Sequence, residues 1–149
     1  MSESTVFIPP ERRPSRGPFV PPLLILPLVL YNIVALLFMG GNTDGWQTQM
    51  FSVSMLSGSS WSLTAGDLML VLGLGCLFFE VLKATQTGRS SVVEHMLSML
   101  VFVVFLVEFL LVGGATSSVY FLLMMMSLFD VVAGFTVSIT SAGRDVTMG

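Results

Sequence analysis

Charge is scarce in this sequence. Of 149 residues, six are Lys or Arg and nine are Asp or Glu, so 10% of the chain is charged, against about 25% in an average soluble domain. A soluble fold of this length would lack most of its polar surface. Cys76 is the only cysteine, which excludes an internal disulfide framework and any paired-cysteine metal site. His95 is the only histidine, which excludes two-histidine metal or haem ligation within one chain. A Gly-rich phosphate loop, a His-Glu-x-x-His helix and a Gly-x-Ser-x-Gly elbow are all missing. Neither metal nor cofactor is expected, and no catalytic motif points to an enzyme. With so few charges, the acidic pI near 4.8 identifies no charged partner, and nucleic acid is not an expected one.

What the sequence does have is apolar residues in long blocks. Hydrophobic residues make up 54% of the chain, and the mean hydropathy is +0.89. That pattern is the signature of membrane spans. Four spans are expected, at about residues 20–40, 67–85, 92–112 and 118–140. Each holds roughly 20 residues, enough to cross a core of about 30 Å. The expected fold is therefore an all-α membrane protein, a four-transmembrane-helix bundle occupying residues 19–141 as one domain.

Residues 1–18 carry Pro9, Pro10, Pro14 and Pro18 with Arg12, Arg13 and Arg16, and read as a disordered, basic, proline-rich tail. A signal peptide is rejected. Glu3 and Glu11 dilute the basic region, the apolar run is long, and no small-x-small cleavage site follows it. Pro21 and Pro22 suit the first turn of span one, Pro27 should bend it, and Gly40-Gly41-Asn42 should end it. Residues 142–149 form a short polar tail.

Between spans one and two lies a loop rich in Ser, Gly and Thr. Phe51-Ser52-Val53-Ser54-Met55 and Trp61-Ser62-Leu63-Thr64 alternate with period two around Ser57-Gly58-Ser59-Ser60, which predicts a β-hairpin. A lone hairpin is marginal in water. Trp46 and Trp61 are expected to anchor it at the lipid interface, where tryptophan is favoured. A short interfacial helix from Trp46 through Val53 is the competing reading. Thr64-x-x-Asp67 and Ser91-x-x-Glu94 have the spacing of capping boxes before spans two and three. Gly88 is a stop for span two, and Gly113-Gly114 a tight turn.

Orientation follows from the cations. With four crossings, Arg12, Arg13, Arg16, Lys83, Arg89 and Arg144 all fall on one side, and the opposite loops carry none. The positive-inside rule makes that side cytoplasmic, with both termini there.

An ionisable residue inside a span costs a few kcal/mol or more, so it faces protein or water. At ~1.5 Å of rise per residue, Glu80 lies roughly 20 Å and Asp130 roughly 18 Å from the outer face. Lys83 shares the Glu80 face at i, i+3. An Asp130–Lys83–Glu80 cluster in the inner half is therefore expected, as an ion pair joining spans two and four. An ion or proton path and a contact with a partner's helix are the alternatives. Glu108 is only about 6 Å in on the same scale and too far out to join them; Asn32 is its expected neighbour. The stripes Gly73, Cys76, Glu80, Lys83 and Ser127, Asp130, Gly134, Ser138, Ser141 follow helical spacing and suit close helix packing. His95 reads as interfacial rather than a ligand, Cys76 as a small apolar residue, and Met124-Met125-Met126 as packing.

Gly66-Asp67-Leu68, Phe79-Glu80-Val81-Leu82-Lys83-Ala84-Thr85, His95-Met96-Leu97-Ser98, Glu108-Phe109-Leu110 and Asp130-Val131-Val132-Ala133-Gly134-Phe135-Thr136 resemble segments of an uncharacterised family of small four-span inner-membrane proteins of alphaproteobacteria. The resemblance covers residues 23–145. It implies the four-span architecture and a bacterial inner membrane, and carries no activity. The leading expectation for function is a non-catalytic accessory or scaffold subunit of a larger membrane complex, in contact with the lipid bilayer and with other subunits or itself. A small oligomeric transporter or proton-conducting protein is the alternative.

Overall fold

The computed structural model of the chain describes residues 21–85 and 91–147. The basic tail at 1–18, with its arginines, and the connection holding Gly88 and Arg89 lie outside the described residues. The element order is α1 (Ile25–Leu37), a 3-10 turn at Thr43–Gln47, β1 (Gln49–Ser54), β2 (Ser60–Thr64), α2 (Ala65–Thr85), α3 (Ser91–Leu111), a 3-10 turn at Gly113–Ala115 and α4 (Ser118–Thr147). α2, α3 and α4 are long and apolar enough to cross a membrane, consistent with an integral membrane protein; α1 is a shorter apolar helix.

α1 is shorter than expected at both ends. Its N-cap is Leu24, and the bonds Ile25 N–H to Pro22 O (3.2 Å) and Leu26 N–H to Leu23 O (2.9 Å) form a tight turn ahead of it. Pro21 and Pro22 thus precede the helix. Pro27 falls inside the first turn, where an N–H has no intrahelical acceptor in any case, so it costs no ladder bond and is not the mid-helix bend expected from the sequence. At the other end Gly40 and Gly41 take φ of +57° and +80°, and the Gly41 N–H closes on Ala35 O at 2.8 Å.

α4 differs in the opposite sense. It runs as helix to Thr147, so most of the polar tail expected at 142–149 continues the helix. With no proline to stop it, an α-helix leaving an apolar core keeps its own i to i−4 bonds in water.

The period-two reading of the loop matches the fold. β1 and β2 pair antiparallel with Phe51 opposite Leu63, Ser52 opposite Ser62, Val53 opposite Trp61 and Ser54 opposite Ser60. A register shift at Met50 marks a bulge near the base. The hairpin end is closed by Met55 N–H to Ser59 O (2.8 Å) and Gly58 N–H to Met55 O (3.0 Å). Gly58 sits at φ +83°, the left-handed position that a three-residue hairpin loop requires. β2 runs into α2 with no intervening residue, and Ala65 N–H bonds Thr48 O at 3.0 Å.

α4 packs along both α2 and α3, and α1 lies against α2 and touches α4. α2 approaches α4 tightly at Gly73, where an added Cβ would stand 2.4 Å from Leu123 Cδ2 and 3.1 Å from Met126 Sδ. Small residues at such crossings let helices approach closely. The buried centre holds Leu24, Leu28, Val101, Phe105, Leu123 and Met124. The outward helix faces stay apolar and exposed, as at Leu74, Phe78, Val104, Leu122 and Phe129.

Candidate functional site

The polar side chains inside the bundle gather at two levels. The first level is built on the C-terminal part of α2. Glu80 is buried, and its Oε2 lies 3.1 Å from Lys83 Nζ one turn on. Lys83 Nζ also lies 3.9 Å from Glu94 Oε2 in the first turn of α3. Both ends suit the helix dipoles, a cation in the last turn of α2 and an anion in the first turn of α3. The second oxygen of Glu80, Oε1, accepts the backbone N–H of Leu23 ahead of α1. Glu80 and Lys83 therefore connect α2 to α1 and α3.

The salt bridges of Lys83 to Glu80 and to Glu94 lie within α2 and between α2 and α3. Lys83 sits one turn nearer the loop than Glu80, so the first turn of α3 comes within its reach. Asp130 on α4 lies close enough to Glu80 and Lys83 for their charges to act on it, and the Ser98 hydroxyl on α3 bonds its carboxylate. Asp130 is 5% exposed and Ser127, one turn away on α4, is 1% exposed. Asp130 Oδ2 and Ser127 Oγ have no hydrogen-bond partner among the described residues. His95 on α3 packs over Gly134, where an added Cβ would meet its Cε1 at 2.2 Å, and stacks on Phe135 with ring centroids 6.1 Å apart. Cys76 is a buried free thiol. The Ser91 side chain lies outside the described residues.

The second level brings Asn32 and Glu108 together. Asn32 Nδ2 donates to Glu108 Oε2 at 2.7 Å and to Leu28 O at 3.1 Å. The same Oε2 accepts the Tyr120 hydroxyl at 2.6 Å. Tyr31 OH donates to Gly114 O at 2.8 Å and lies 2.6 Å from Ser117 Oγ. Ser117 Oγ in turn accepts Tyr120 N–H at 3.0 Å. Tyr31 stands edge-on to Tyr120 with centroids 4.8 Å apart. α1, α3 and α4 are tied together at this level.

Trp46 belongs to this level too, and here the structure corrects the sequence. Trp46 is 2% exposed and stacks on Tyr31 at 4.5 Å. It is a core residue rather than an interfacial anchor, because the 3-10 turn at Thr43–Gln47, capped by Asn42 Oδ1 on Asp44 N–H, folds it back under the loop. Trp61 is 47% exposed on the hairpin. At the start of α2, Asp67 Oδ2 accepts both Thr64 N–H and Thr64 Oγ1–H at 2.8 Å, and Thr64 Oγ1 accepts Asp67 N–H at 3.1 Å.

Sequence reasoning missed Tyr31 and Tyr120. The signal was available: these are the chain's only two tyrosines, both lie in apolar runs, and a phenol there must find a hydrogen-bond partner. Ser98 and the backbone N–H of Leu23 gave no comparable signal. Among the described residues no group of three or more His, Cys, Asp or Glu could hold a metal ion. No known protein family, curated protein or solved structure matches the chain.

Proposed function

We propose that this chain is a non-catalytic integral membrane protein of a bacterial inner membrane, an accessory or scaffold subunit of a larger membrane complex. In this reading it crosses four times, with α1 as the fourth crossing and both termini cytoplasmic. The cation distribution supports that orientation. One observation carries the functional reading over the transport alternative. The ionisable groups of the bundle are used as fasteners at two levels, and an apolar layer parts them. Tyr120 and Ser127 are two turns apart on α4, about 10 Å at ~1.5 Å per residue. The space between holds buried Val101, Phe105, Leu123 and Met124. A proton or ion moving from Glu108 to Asp130 would have to cross that layer, where a charge is expensive.

The test is reconstitution. Purified protein in liposomes should pass no protons or monovalent cations above empty vesicles, and in native membranes it should migrate in a complex of fixed stoichiometry. A flux that Asp130→Asn abolishes in a correctly folded protein overturns the scaffold reading. Reporter fusions at positions 50 and 115 should report the outer side, and fusions at 88 and 149 the cytoplasm. A cytoplasmic signal at 50 overturns the four-crossing arrangement.

A further inference from the structure

The hairpin has two unlike faces. Paired residues across an antiparallel ladder share a face, and faces alternate along each strand. Phe51, Val53, Trp61 and Leu63 therefore lie on one face, with Met55 following at the loop end. Ser52, Ser54, Ser60 and Ser62 lie on the other. From residue 45 to residue 66 there is no charge. No element of the described chain covers the apolar face: Phe51 is 58% exposed and Trp61, as noted, nearly half. A two-stranded ribbon is marginal in water without such cover.

We propose that the apolar face of this ribbon docks on the lipid surface of the bilayer, and that an acyl chain occupies the groove at its base. The occupant follows from three observations. The ribbon is fixed at the height of a membrane helix end, since β2 passes directly into α2 and Thr48 is bonded to Ala65. Under β1 an open apolar groove of about 330 Å³ runs between α1 and α2, lined by Leu30, Val34, Met50, Leu68, Met69 and Leu72. That groove opens between helices, where acyl chains are the surrounding medium. The ribbon also lacks the charge that steers a soluble partner. Four half-exposed side chains offer a few hundred Å² at most, well short of the about 800 Å² per partner of a standard interface, so a second copy stacked on this face would be weakly held. A tryptophan among aliphatic and aromatic neighbours, backed by a row of hydroxyls, is the composition that the headgroup boundary favours. The anchor is thus the Phe51–Val53–Trp61–Leu63 face, and Trp46 has no part in it.

The inference rests on the membrane reading, and the experiment separates the two. Single cysteines are introduced in a Cys76→Ser background at positions 51–54 and 60–63, spin-labelled, and probed in lipid nanodiscs with oxygen and with a water-soluble nickel chelate. Leu122→Cys and Phe129→Cys on the exposed face of α4 serve as membrane controls. Oxygen should dominate at 51, 53, 61 and 63 and nickel at 52, 54, 60 and 62, a period of two. Nickel access at the α4 controls overturns the membrane reading itself. With the controls oxygen-accessible, nickel access on both ribbon faces overturns lipid docking in favour of water. Shielding of 51, 53, 61 and 63 from both reagents overturns it in favour of a protein partner. In a Trp61→Phe variant, Trp46 is the sole tryptophan and lines the groove; lipids brominated on the acyl chain should quench it, and undiminished emission overturns the acyl-chain assignment.

Discussion

Glu80 carries two separable duties, and substitution distinguishes them. Its Oε2 pairs with Lys83 at 3.1 Å, and its Oε1 accepts the Leu23 N–H. At an effective dielectric of about 20 the gross attraction at that distance is about 5 kcal/mol. Glu94, 3.9 Å from Lys83, supplies about 4 kcal/mol on the same scale, and the Lys83 side chain is 23% exposed. Loss of Glu80 therefore leaves Lys83 partly compensated, and the ion-pair share of the cost should fall to about 1 kcal/mol rather than the ~3–5 of an uncompensated buried pair. The orphaned Leu23 N–H adds the desolvation cost of an unmade hydrogen bond, about 1–3 kcal/mol. Glu80→Gln keeps an acceptor for Leu23 and should cost about 1 kcal/mol; Glu80→Met loses both and should cost about 2–4 kcal/mol. Glu80→Met with Lys83→Met should recover only the ion-pair share. Equilibrium unfolding in mixed detergent micelles measures this, followed by Trp46 emission in a Trp61→Phe background, because Trp46 stacks on Tyr31 of α1 and reports its docking. Equal losses for the Gln and Met variants, or full recovery in the double variant, would refute the assignment of the Leu23 bond to Glu80.

Gly73→Ala should destabilise by about 1–3 kcal/mol through overpacking against Leu123 and Met126, while Gly75→Ala, which meets nothing within 4 Å, should be neutral or gain up to about 1 kcal/mol from helix propensity; the same unfolding assay checks both. Thr64→Ala and Asp67→Ala should each cost about 1 kcal/mol, and together little more than either alone, because they share one cap. Tyr120→Phe should cost about 0.6 kcal/mol and at most about 1.7, the average and upper limit of hydrogen bonds within membranes. A double-mutant cycle with Asn32→Leu should show coupling, since both donors use Glu108 Oε2.

What the sequence made legible follows from how local each signal is. Apolar runs placed α2, α3 and the start of α4 within a residue or two, because length and hydropathy act over a whole segment. The hairpin was legible from the alternation of Phe51, Val53, Trp61 and Leu63 with serines, and its turn from Gly58. Depth along a helix brought Asn32 level with Glu108 for the same reason: rise per residue is fixed. What depth cannot give is rotation and reach. The ion pair of Lys83 with Glu94 was not foreseen, because it depends on where α3 begins relative to α2. Trp46 looked interfacial because tryptophans in outer loops often are; its burial depends on a five-residue 3-10 turn with no periodicity to read. The start of α1 was placed too early because prolines at 21, 22 and 27 each fit a first turn, and Pro27 is the one that falls inside it.

Because the N–H of Leu23 finds its acceptor on another helix, α1 is incomplete until α2 stands beside it. α1 has 13 residues and no side-chain cap at its N-terminus. Left alone in hydrocarbon, that backbone donor would go unmatched, at a cost of several kcal/mol. Its partner lies near the far end of α2, so it is among the last parts of that helix to be synthesised. The first apolar helix therefore reaches its finished state only as a pair with the second.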